Sequence, residues 1–257
     1  MCQKNAYFAV ANIYFYQKMS LKNTILKKHA QHRYPQYLFG KAMQDIATTH
    51  KAQFKLREIK ILDSPCGTGE TTYHLAQVNG STVTGIDVWE PYLAQANSDF
   101  GAAPNIYFYK QDIFEHLKTF VGFYDVINII NSLFLFKEAE KLLTIAKKSL
   151  TENGKLVVVI PNTASQNFLD FEKNDANKTN KSVYTREQIV VLFEKCGFEI
   201  AHLQGLAYTS HVLGTPFQQK LSIAKDYFLL VKDALQKTKG TRPPSYWLFV
   251  LTQSNKK

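Results

Sequence analysis

Three aspartates, each near the end of a hydrophobic segment, are the residues of this chain best suited to hold a small ligand. Asp63, Asp87 and Asp112 follow one another at intervals of 24 and 25 residues. A carboxylate accepts hydrogen bonds from the two hydroxyls of a ribose or from the amino group of a base, and it attracts a cation. The set therefore predicts a ligand that combines hydroxyls, an amine and a positive charge, and it does not favour a pyrophosphate.

A turn with two glycines follows the first of these aspartates. Cys66-Gly67-Thr68-Gly69 leads from a hydrophobic segment into a helical pattern. Glycine lets the backbone approach a ligand closely, and the first turn of a helix offers unpaired amide groups. A dinucleotide motif would place a third glycine where Thr72 stands, so the glycine pair alone does not identify the nucleotide. Cys66 has no apparent partner base and is expected to be a buried filler rather than a nucleophile.

These side chains need a scaffold that brings separate strand ends together, and the sequence predicts one. From about residue 58 onward, short β-branched or aromatic segments alternate with helical patterns, as in βαβ units with a parallel sheet. Strands are predicted over residues 59–63, 82–87, 105–110, 124–130, 155–160, 199–204 and 246–252. Helices are predicted over residues 70–78, 91–100, 137–150 and 186–196. Sheets of this kind bind ligands at the carboxyl ends of their strands, where the aspartates and the glycine turn lie.

Local signals support two of the boundaries between helices and strands. Thr185, with Gln188 three residues later, is typical of a helix N-cap. Gly154 and Gly197 are expected to form helix-to-strand turns.

Two segments fall outside the regular alternation. Residues 1–55, which precede the first strand, are predicted to be mostly helical, and residues 205–244 separate the last two predicted strands. The chain is therefore divided into an N-terminal helical cap segment, residues 1–55, and a ligand-binding domain, residues 56–257, with a lid-like helical insertion at 205–244. The apolar stripe of this insertion favours packing against the domain, with a substrate lid or a dimer contact as alternatives.

The ordered motifs resemble those of the class I, Rossmann-like S-adenosylmethionine-dependent methyltransferases over about residues 58–252. DSPCGTG resembles the first motif of that family, GIDVWE its ribose-binding strand end, and QDIF its adenine-contacting turn. YDVINIINSLFLF and GKLVVVIPN resemble its fourth and fifth strands, and YWLFVL resembles its seventh, an antiparallel edge strand. The resemblance implies an α/β fold with a seven-stranded, mostly parallel sheet and helices on both faces.

The resemblance also implies a reaction and a cofactor. S-adenosylmethionine would donate its methyl group in line, leaving S-adenosylhomocysteine. Asp87 would then meet the ribose, Asp112 the adenine amino group and Asp63 a cationic part of the cofactor, although Asp63 could instead cap the turn and Asp87 the following helix. The cofactor-binding residues implied in this way are Asp63, Cys66, Gly67, Thr68, Gly69, Asp87, Val88, Asp112, Ile113 and Asn128.

The resemblance identifies the methyl donor more specifically than the methyl acceptor. Many small-molecule methyltransferases of this fold carry a histidine shortly after the fourth strand, and Leu135 occupies that place here. The sequence also lacks the Asn-Pro-Pro-Tyr motif of the amino-group methylases. A small-molecule acceptor, bound between the front segment and the insertion, is the leading hypothesis. The catalytic candidates are Asn131, Tyr184 and His211, and the substrate-binding candidates are Tyr34, Tyr37, Asn162 and Tyr208.

Positive charge is concentrated at the front of the chain. Residues 1–60 contain eleven Lys and Arg residues but two acidic ones, so they hold +9 of the net charge of +10. A solvated helical face is favoured, because the charges are interspersed rather than grouped. The alternatives are a surface for an anionic substrate or lipid, and a phosphate-binding arm of an RNA methyltransferase, although no RNA-binding module is recognisable. Leu135 supports a third hypothesis, a cofactor-binding homologue that has lost catalysis.

Several features bear on the compartment and on metals. Three cysteines without a CxxC pair indicate a reducing compartment, and a cytoplasmic location is expected. The sequence has no apolar run near the roughly 18 residues of a membrane helix. His29 and His32 have the spacing of metal ligands, but no third ligand is in view and no metal is expected. Met1 and Met19 are both compatible with a natural start.

Overall fold

A seven-stranded sheet organises the chain in the computed structural model, which describes residues 35–55, 58–166, 168–169, 183–208, 229, 232–234, 237, 240 and 242–254. The strands are β1 (Ile59–Asp63), β2 (Ser81–Asp87), β3 (Ile106–Lys110), β4 (Tyr124–Ile130), β5 (Leu150–Pro161), β6 (Phe198–Leu206) and β7 (Tyr246–Gln253). The helices are α1 (Gln36–Gln53), α2 (Glu70–Ala76), α3 (Glu90–Phe100), α4 (Ile113–Thr119), α5 (Ala139–Ser149) and α6 (Arg186–Lys195), and Leu133–Leu135 forms a 3-10 helix.

The strand order across the sheet is β3-β2-β1-β4-β5-β7-β6. The first five of these pair in parallel, and β7 pairs antiparallel with both β5 and β6. The predicted α/β fold with a mostly parallel sheet is therefore confirmed. The expectation that β7 is an edge strand is wrong, because it lies between β5 and β6 and the edges are β3 and β6.

One edge of this sheet collects most of the strand ends. Strands β1 to β6 all end there, and the antiparallel β7 begins there, since Tyr246 pairs with both Pro161 and Leu206. We call it the carboxyl edge. Open α/β sheets bind their ligands at this edge, so the fold places the loops after β1, β2 and β4 on the ligand-binding side.

Helices cover both faces of the sheet and divide the core into two layers. Helices α1 and α2 pack on the face that contains Ile61 and Val83, whereas α4, α5 and α6 pack on the face that contains Leu62 and Ile127. The central strand β5 is buried on both sides over residues 156–160, as expected for a strand covered by two helical layers. Each such buried aliphatic side chain contributes roughly 1.5 to 3 kcal/mol.

Several predicted boundaries differ from the structure. Helix α4 was not predicted; it has seven residues and depends on Asp112, whose side chain accepts from the second and third amides of the helix. Gly154 does not form a turn, because β5 begins at Leu150 and continues through it opposite a register shift in β4. Gly197 does follow a helix, with a φ of +75°, and Thr185 forms the predicted capping box with Gln188.

Parts of both added segments lie outside the described residues. Of the predicted helical front segment, α1 is described; Tyr34, His29 and His32 are not. The lid-like insertion, including His211, also lies mostly outside. Helix α1 packs against α2 with little space, since a Cβ on Gly40 would collide with the ring of His74. Among the described helices none has the length and hydrophobicity required to cross a membrane.

Candidate active site

The carboxylate of Asp87 joins the end of β2 to the glycine turn after β1. Its Oδ2 accepts a hydrogen bond from the Gly67 amide at 2.9 Å, and its Oδ1 accepts one from the Trp89 amide at 2.8 Å. Helix α3 begins after Trp89 with no side-chain cap, so Asp87 does not cap it. Each carboxylate oxygen keeps a further lone pair. Asp87 therefore fixes the turn and can still accept hydrogen bonds from a ligand.

Asp63 is a buried carboxylate beside this turn. Its side chain is 1% exposed, and its Oδ2 accepts a hydrogen bond from the Thr72 hydroxyl at 2.6 Å. Burial raises the pKa of Asp63 to about 7; the hydrogen bond from Thr72 opposes this rise, and the neighbouring carboxylates of Asp87 and Glu70 add to it. A cation placed here would stabilise the ionised form, so the site favours a positively charged group.

An unpartnered acceptor lies next to Asp63 on the neighbouring strand. Asn128 on β4 is opposite Asp63 in the parallel register, and its side chain is fully buried. Its Nδ2 donates to the Leu62 carbonyl at 3.4 Å, while its Oδ1 has no hydrogen-bond partner within the described residues. A buried acceptor without a donor is unfavourable by about 1 to 3 kcal/mol. A ligand with an N–H group at this strand end would remove that penalty.

The two glycines of the turn have different surroundings. Both have positive φ, +53° at Gly67 and +85° at Gly69. A Cβ on Gly67 would meet nothing within 4 Å, whereas one on Gly69 would lie 3.0 Å from both Ala96 and Phe108. Gly69 is thus required for packing between the turn, α3 and β3. Gly67 faces open space, and its backbone is the part of the turn that a ligand can approach.

A cleft of about 330 Å³ opens farther along the carboxyl edge. We call it the β5–β7 cleft. It lies where β5 and β6 end and β7 begins. Its lining residues are Ala164, Ser165, Gln166, Tyr208, Arg242, Pro243 and Ser245.

Comparison with known families identifies the class of protein to which this architecture belongs. The sequence model of a family described as a methyltransferase domain matches residues 55–219, more than half of the chain. The chain belongs to this family. It is an S-adenosylmethionine-dependent methyltransferase, and S-adenosylmethionine is its cofactor. The comparison with curated proteins gives no significant match.

Solved structures with low sequence identity share the fold of this methyltransferase. Magnesium protoporphyrin IX methyltransferase from Synechocystis PCC 6803, with bound S-adenosylhomocysteine, is 15% identical at a TM-score of 0.55, covering 84% of this chain and 83% of that one. Geranyl diphosphate methyltransferase in complex with S-adenosylmethionine is 13% identical at 0.55, covering 83% and 85%. The [4+2]-cyclase SpnF is 17% identical at 0.56, covering 83% and 81%. Such likeness shows the fold alone, and a fold can carry several reactions.

The strand ends of the methyltransferase fit this cofactor. Asp87 offers lone pairs to ribose hydroxyls beside the open face of Gly67. The buried carboxylate of Asp63 and the unpartnered Oδ1 of Asn128 suit the positive charge and the N–H groups of the methionine part. Asp63 and Asp87 lie on neighbouring strands, β1 and β2, as the predicted site requires. The contact of each residue with the cofactor stays a prediction.

The remaining cofactor candidates occupy the same loops. Asp112 is exposed at the end of β3 and caps α4 through Oδ1, which accepts from the Phe114 and Glu115 amides. Val88 is 62% exposed beside Asp87, whereas Ile113 is buried in the core. The pKa of the buried Cys66 thiol is raised by burial, then by Asp63 and Asp87, as expected for a structural filler.

Two of the acceptor candidates border the β5–β7 cleft. Tyr208 lines the cleft. Asn162 stabilises the wall of the cleft, because its Nδ2 donates to the Pro244 carbonyl at 2.7 Å and its Oδ1 accepts from the Ala164 amide at 3.1 Å. Because both ends of the Asn162 amide are engaged within the protein, we interpret it as a residue that shapes the cleft. Asn131 follows β4 with a φ of +48° and donates its amide to the Val159 carbonyl at 2.8 Å.

The other described candidates pack elsewhere. Tyr37 contacts the His74 ring edge-on at 5.4 Å, where α1 meets α2. Tyr184 packs against the core under α6, and burial raises the pKa of its hydroxyl. Both contacts are structural, and a role for either residue in substrate binding or catalysis stays a prediction.

Sequence reasoning did not select two residues that the structure brings to this edge. Ser132 follows β4 and is buried, and its Oγ has no hydrogen-bond partner among the residues described. Arg242 lines the β5–β7 cleft. A charged residue directly before two prolines, four residues before the last strand, was the available signal for Arg242.

The Gly67→Arg variant is expected to lower the affinity for S-adenosylhomocysteine at least tenfold, because its side chain would fill the open face of the turn. Gly122→Arg is the matched control, since Gly122 has a φ of +61°, also faces open space and lies before β4 at the opposite edge. Both changes strain the backbone by about 1 to 2 kcal/mol. Calorimetry on the two folded variants measures their affinities for S-adenosylhomocysteine. If Gly67→Arg and Gly122→Arg lowered the affinity equally, the result would contradict a cofactor site at the Gly67 turn.

Proposed function

We propose that this methyltransferase transfers a methyl group to a small-molecule acceptor bound in the β5–β7 cleft. The observation that carries the proposal is that the cleft and the Asp63–Asp87 turn lie at the same edge of one sheet. A volume of about 330 Å³ is within the range of small-molecule pockets. Two of the similar structures are, by name, methyltransferases of protoporphyrin and geranyl diphosphate, which supports a small acceptor.

The donor half of the site would be formed by β1, β2 and β4. Asp87 would orient the ribose, Gly67 would allow the nucleoside to approach, and Asp63 and Asn128 would hold the charged methionine part. When bound, S-adenosylmethionine supplies a methyl group that its sulfonium already activates. The loop side chains then have to align acceptor and methyl, and orientation of this kind can supply effective molarities on the order of 10⁵ M or more.

A general base is needed only if the nucleophile starts protonated. Leu135, at the place where related enzymes carry a histidine, is 58% exposed and cannot act as one. Acceptors that ionise readily are therefore the first to test, because their nucleophilic atom loses its proton in solution.

The domain division is proposed on similar grounds. Residues 56–257 would form the catalytic unit and residues 1–55 the cap. The described part of the cap, α1, supports this arrangement, because it packs along α2, the helix that follows the glycine turn. The insertion at 205–244 would flank the acceptor, since Tyr208 and Arg242 near its two ends line the β5–β7 cleft.

Calorimetry with S-adenosylmethionine, S-adenosylhomocysteine and NADH tests the donor half. Binding of the first two without NADH is the expected result, and binding of NADH alone would contradict the proposal. Transfer of an isotope-labelled methyl group to pools of small molecules, with RNA in a parallel reaction, tests the acceptor half. Labelled RNA with steeply salt-dependent affinity would favour the RNA alternative, and cofactor binding with no transfer would favour an inactive homologue.

A further inference from the structure

The β5–β7 cleft has the composition of a site for an amphipathic molecule. Ala164, Pro243 and the ring of Tyr208 provide apolar surface, and Ser165 and the guanidinium of Arg242 provide polar groups. Arg242 carries the positive charge of this lining. None of the ion pairs between described residues involves Arg242. Arg242 is exposed at the rim of the cleft, and at a protein surface a cation attracts an anionic group of a ligand more strongly than in bulk water.

Hydrogen bonds hold the frame of the cleft in place. The backbone N–H of Asn162 donates to the Ser245 carbonyl at 2.8 Å, and the backbone N–H of Ser245 donates to the Ala207 carbonyl at 2.7 Å. The Tyr208 amide donates to the buried carboxylate of Asp233. Arg242 is followed by two prolines, which restrict its backbone to extended conformations. The backbone that carries the Arg242 side chain is therefore restricted, which lowers the entropy lost on binding.

We propose that the acceptor is a small, largely apolar molecule with one anionic group, a carboxylate or a phosphate, which Arg242 binds in the β5–β7 cleft. The proposal deepens the proposed function, on which it rests only for naming the ligand as the methyl acceptor. Arginine suits either group because its planar N–H donors match two oxygens at once.

The sheet sets the length of such an acceptor. Three strand spacings separate β1, which carries Asp63, from β7, which begins four residues after Arg242. At roughly 4.8 Å per spacing, this amounts to about 14 Å. If the cationic part of the cofactor lies at Asp63, the methylated atom and the anionic group must lie at opposite ends of the acceptor. Very small acids, such as acetate, would not reach both.

The test uses benzoate, phenyl phosphate and the neutral benzamide as probes of the full chain, with and without S-adenosylhomocysteine. Ligand-observed NMR titration is expected to show at least fivefold tighter binding of an anionic probe than of benzamide. The stronger of the two anions then distinguishes a carboxylate site from a phosphate site.

Variants locate the binding. Arg242→Gln should lower the affinity for the favoured anion at least fivefold, and Arg242→Lys should keep part of it. Lys118→Gln removes one exposed charge on α4 and should change nothing. Equal affinity for benzamide and the anions, or anion binding unaffected by Arg242→Gln, would overturn the inference.

Binding of S-adenosylhomocysteine, measured in the same samples, keeps the two proposals separate. If the nucleoside binds and the anions do not, the anionic acceptor is refuted and the methyltransferase site stands. If the anions bind through Arg242 and the nucleoside does not, the donor site is refuted and the anion site stands.

Discussion

The Asp63→Asn variant is expected to be more stable than the wild-type protein at alkaline pH and to bind S-adenosylmethionine on the order of 100-fold more weakly. Both effects have one cause, the burial of a carboxylate that a cationic ligand would neutralise. Asp63 is fully buried, and burial raises its pKa to about 7, with a smaller contribution from Asp87 and Glu70. An asparagine keeps the acceptor for the Thr72 hydroxyl but carries no charge.

The sign of the stability change follows from proton linkage. A pKa that is raised in the folded state means that the folded protein retains the proton more strongly than the unfolded chain. The contribution to stability is complete below the unfolded pKa of 3.8 and is lost as pH rises through the folded value of about 7. The asparagine variant does not undergo this loss. Its advantage in free energy of unfolding should grow by about 2 to 3 kcal/mol between about pH 5 and about pH 8.

Chemical denaturation of both proteins at matched pH values measures this difference, and other titrating groups cancel in the comparison. Glu152→Gln, which removes an exposed carboxylate, is the control and should show no such trend. Affinity of the wild-type protein for S-adenosylmethionine should rise with pH across the same interval, because the ionised carboxylate attracts the cation. A variant that loses stability at high pH, or binds the cofactor normally, would contradict a role for Asp63 as the buried counter-charge.

The sequence could predict that the residues expected to bind the methyl donor lie together, because this follows from regular features of parallel sheets. Parallel strands end at the same edge, so aspartates that terminate successive hydrophobic segments must lie near one another. Asp63 and Asp87 lie on adjacent strands for this reason. Gly67 and Gly69 both have positive φ, but Gly67 faces open space whereas Gly69 packs against Ala96. The sequence could not show this difference, because it arises from the packing of α3 against the turn.

The features that escaped prediction depend on contacts between distant segments or on very short elements. The β5–β7 cleft combines Ser165, Tyr208 and Arg242, which are far apart in sequence and meet only because β7 inserts between β5 and β6. Helix α4 has seven residues, too few for a clear hydrophobic period, and its stability comes from burial of Ile113 and Leu117 together with a cap. The β5–β7 cleft and helix α4 therefore both depend on tertiary contacts that the local sequence does not show.

The Asp87→Asn variant is expected to lose about 100-fold in affinity for S-adenosylhomocysteine and about 2 kcal/mol in stability. In the wild-type protein, each carboxylate oxygen accepts a backbone amide, from Gly67 and from Trp89. An asparagine has one acceptor oxygen, so in either orientation its NH2 group faces one of these amides. The turn then loses one of its two hydrogen bonds to residue 87, and the ribose loses a charged acceptor that is fixed in position.

Asp125→Ala is the control that separates loss of stability from loss of binding. Asp125 lies at the amino end of β4, at the opposite edge of the sheet, and its two oxygens are also engaged: Oδ2 accepts from the Lys60 amide at 2.8 Å and Oδ1 from the Thr151 hydroxyl at 3.2 Å. It should lose a similar amount of stability but keep its affinity for S-adenosylhomocysteine. Because each variant leaves a backbone amide without its acceptor, Gly67 or Trp89 in one and Lys60 in the other, a difference in affinity alone reports contact with the nucleoside. Equal affinities in calorimetry would show that Asp87 only holds the turn.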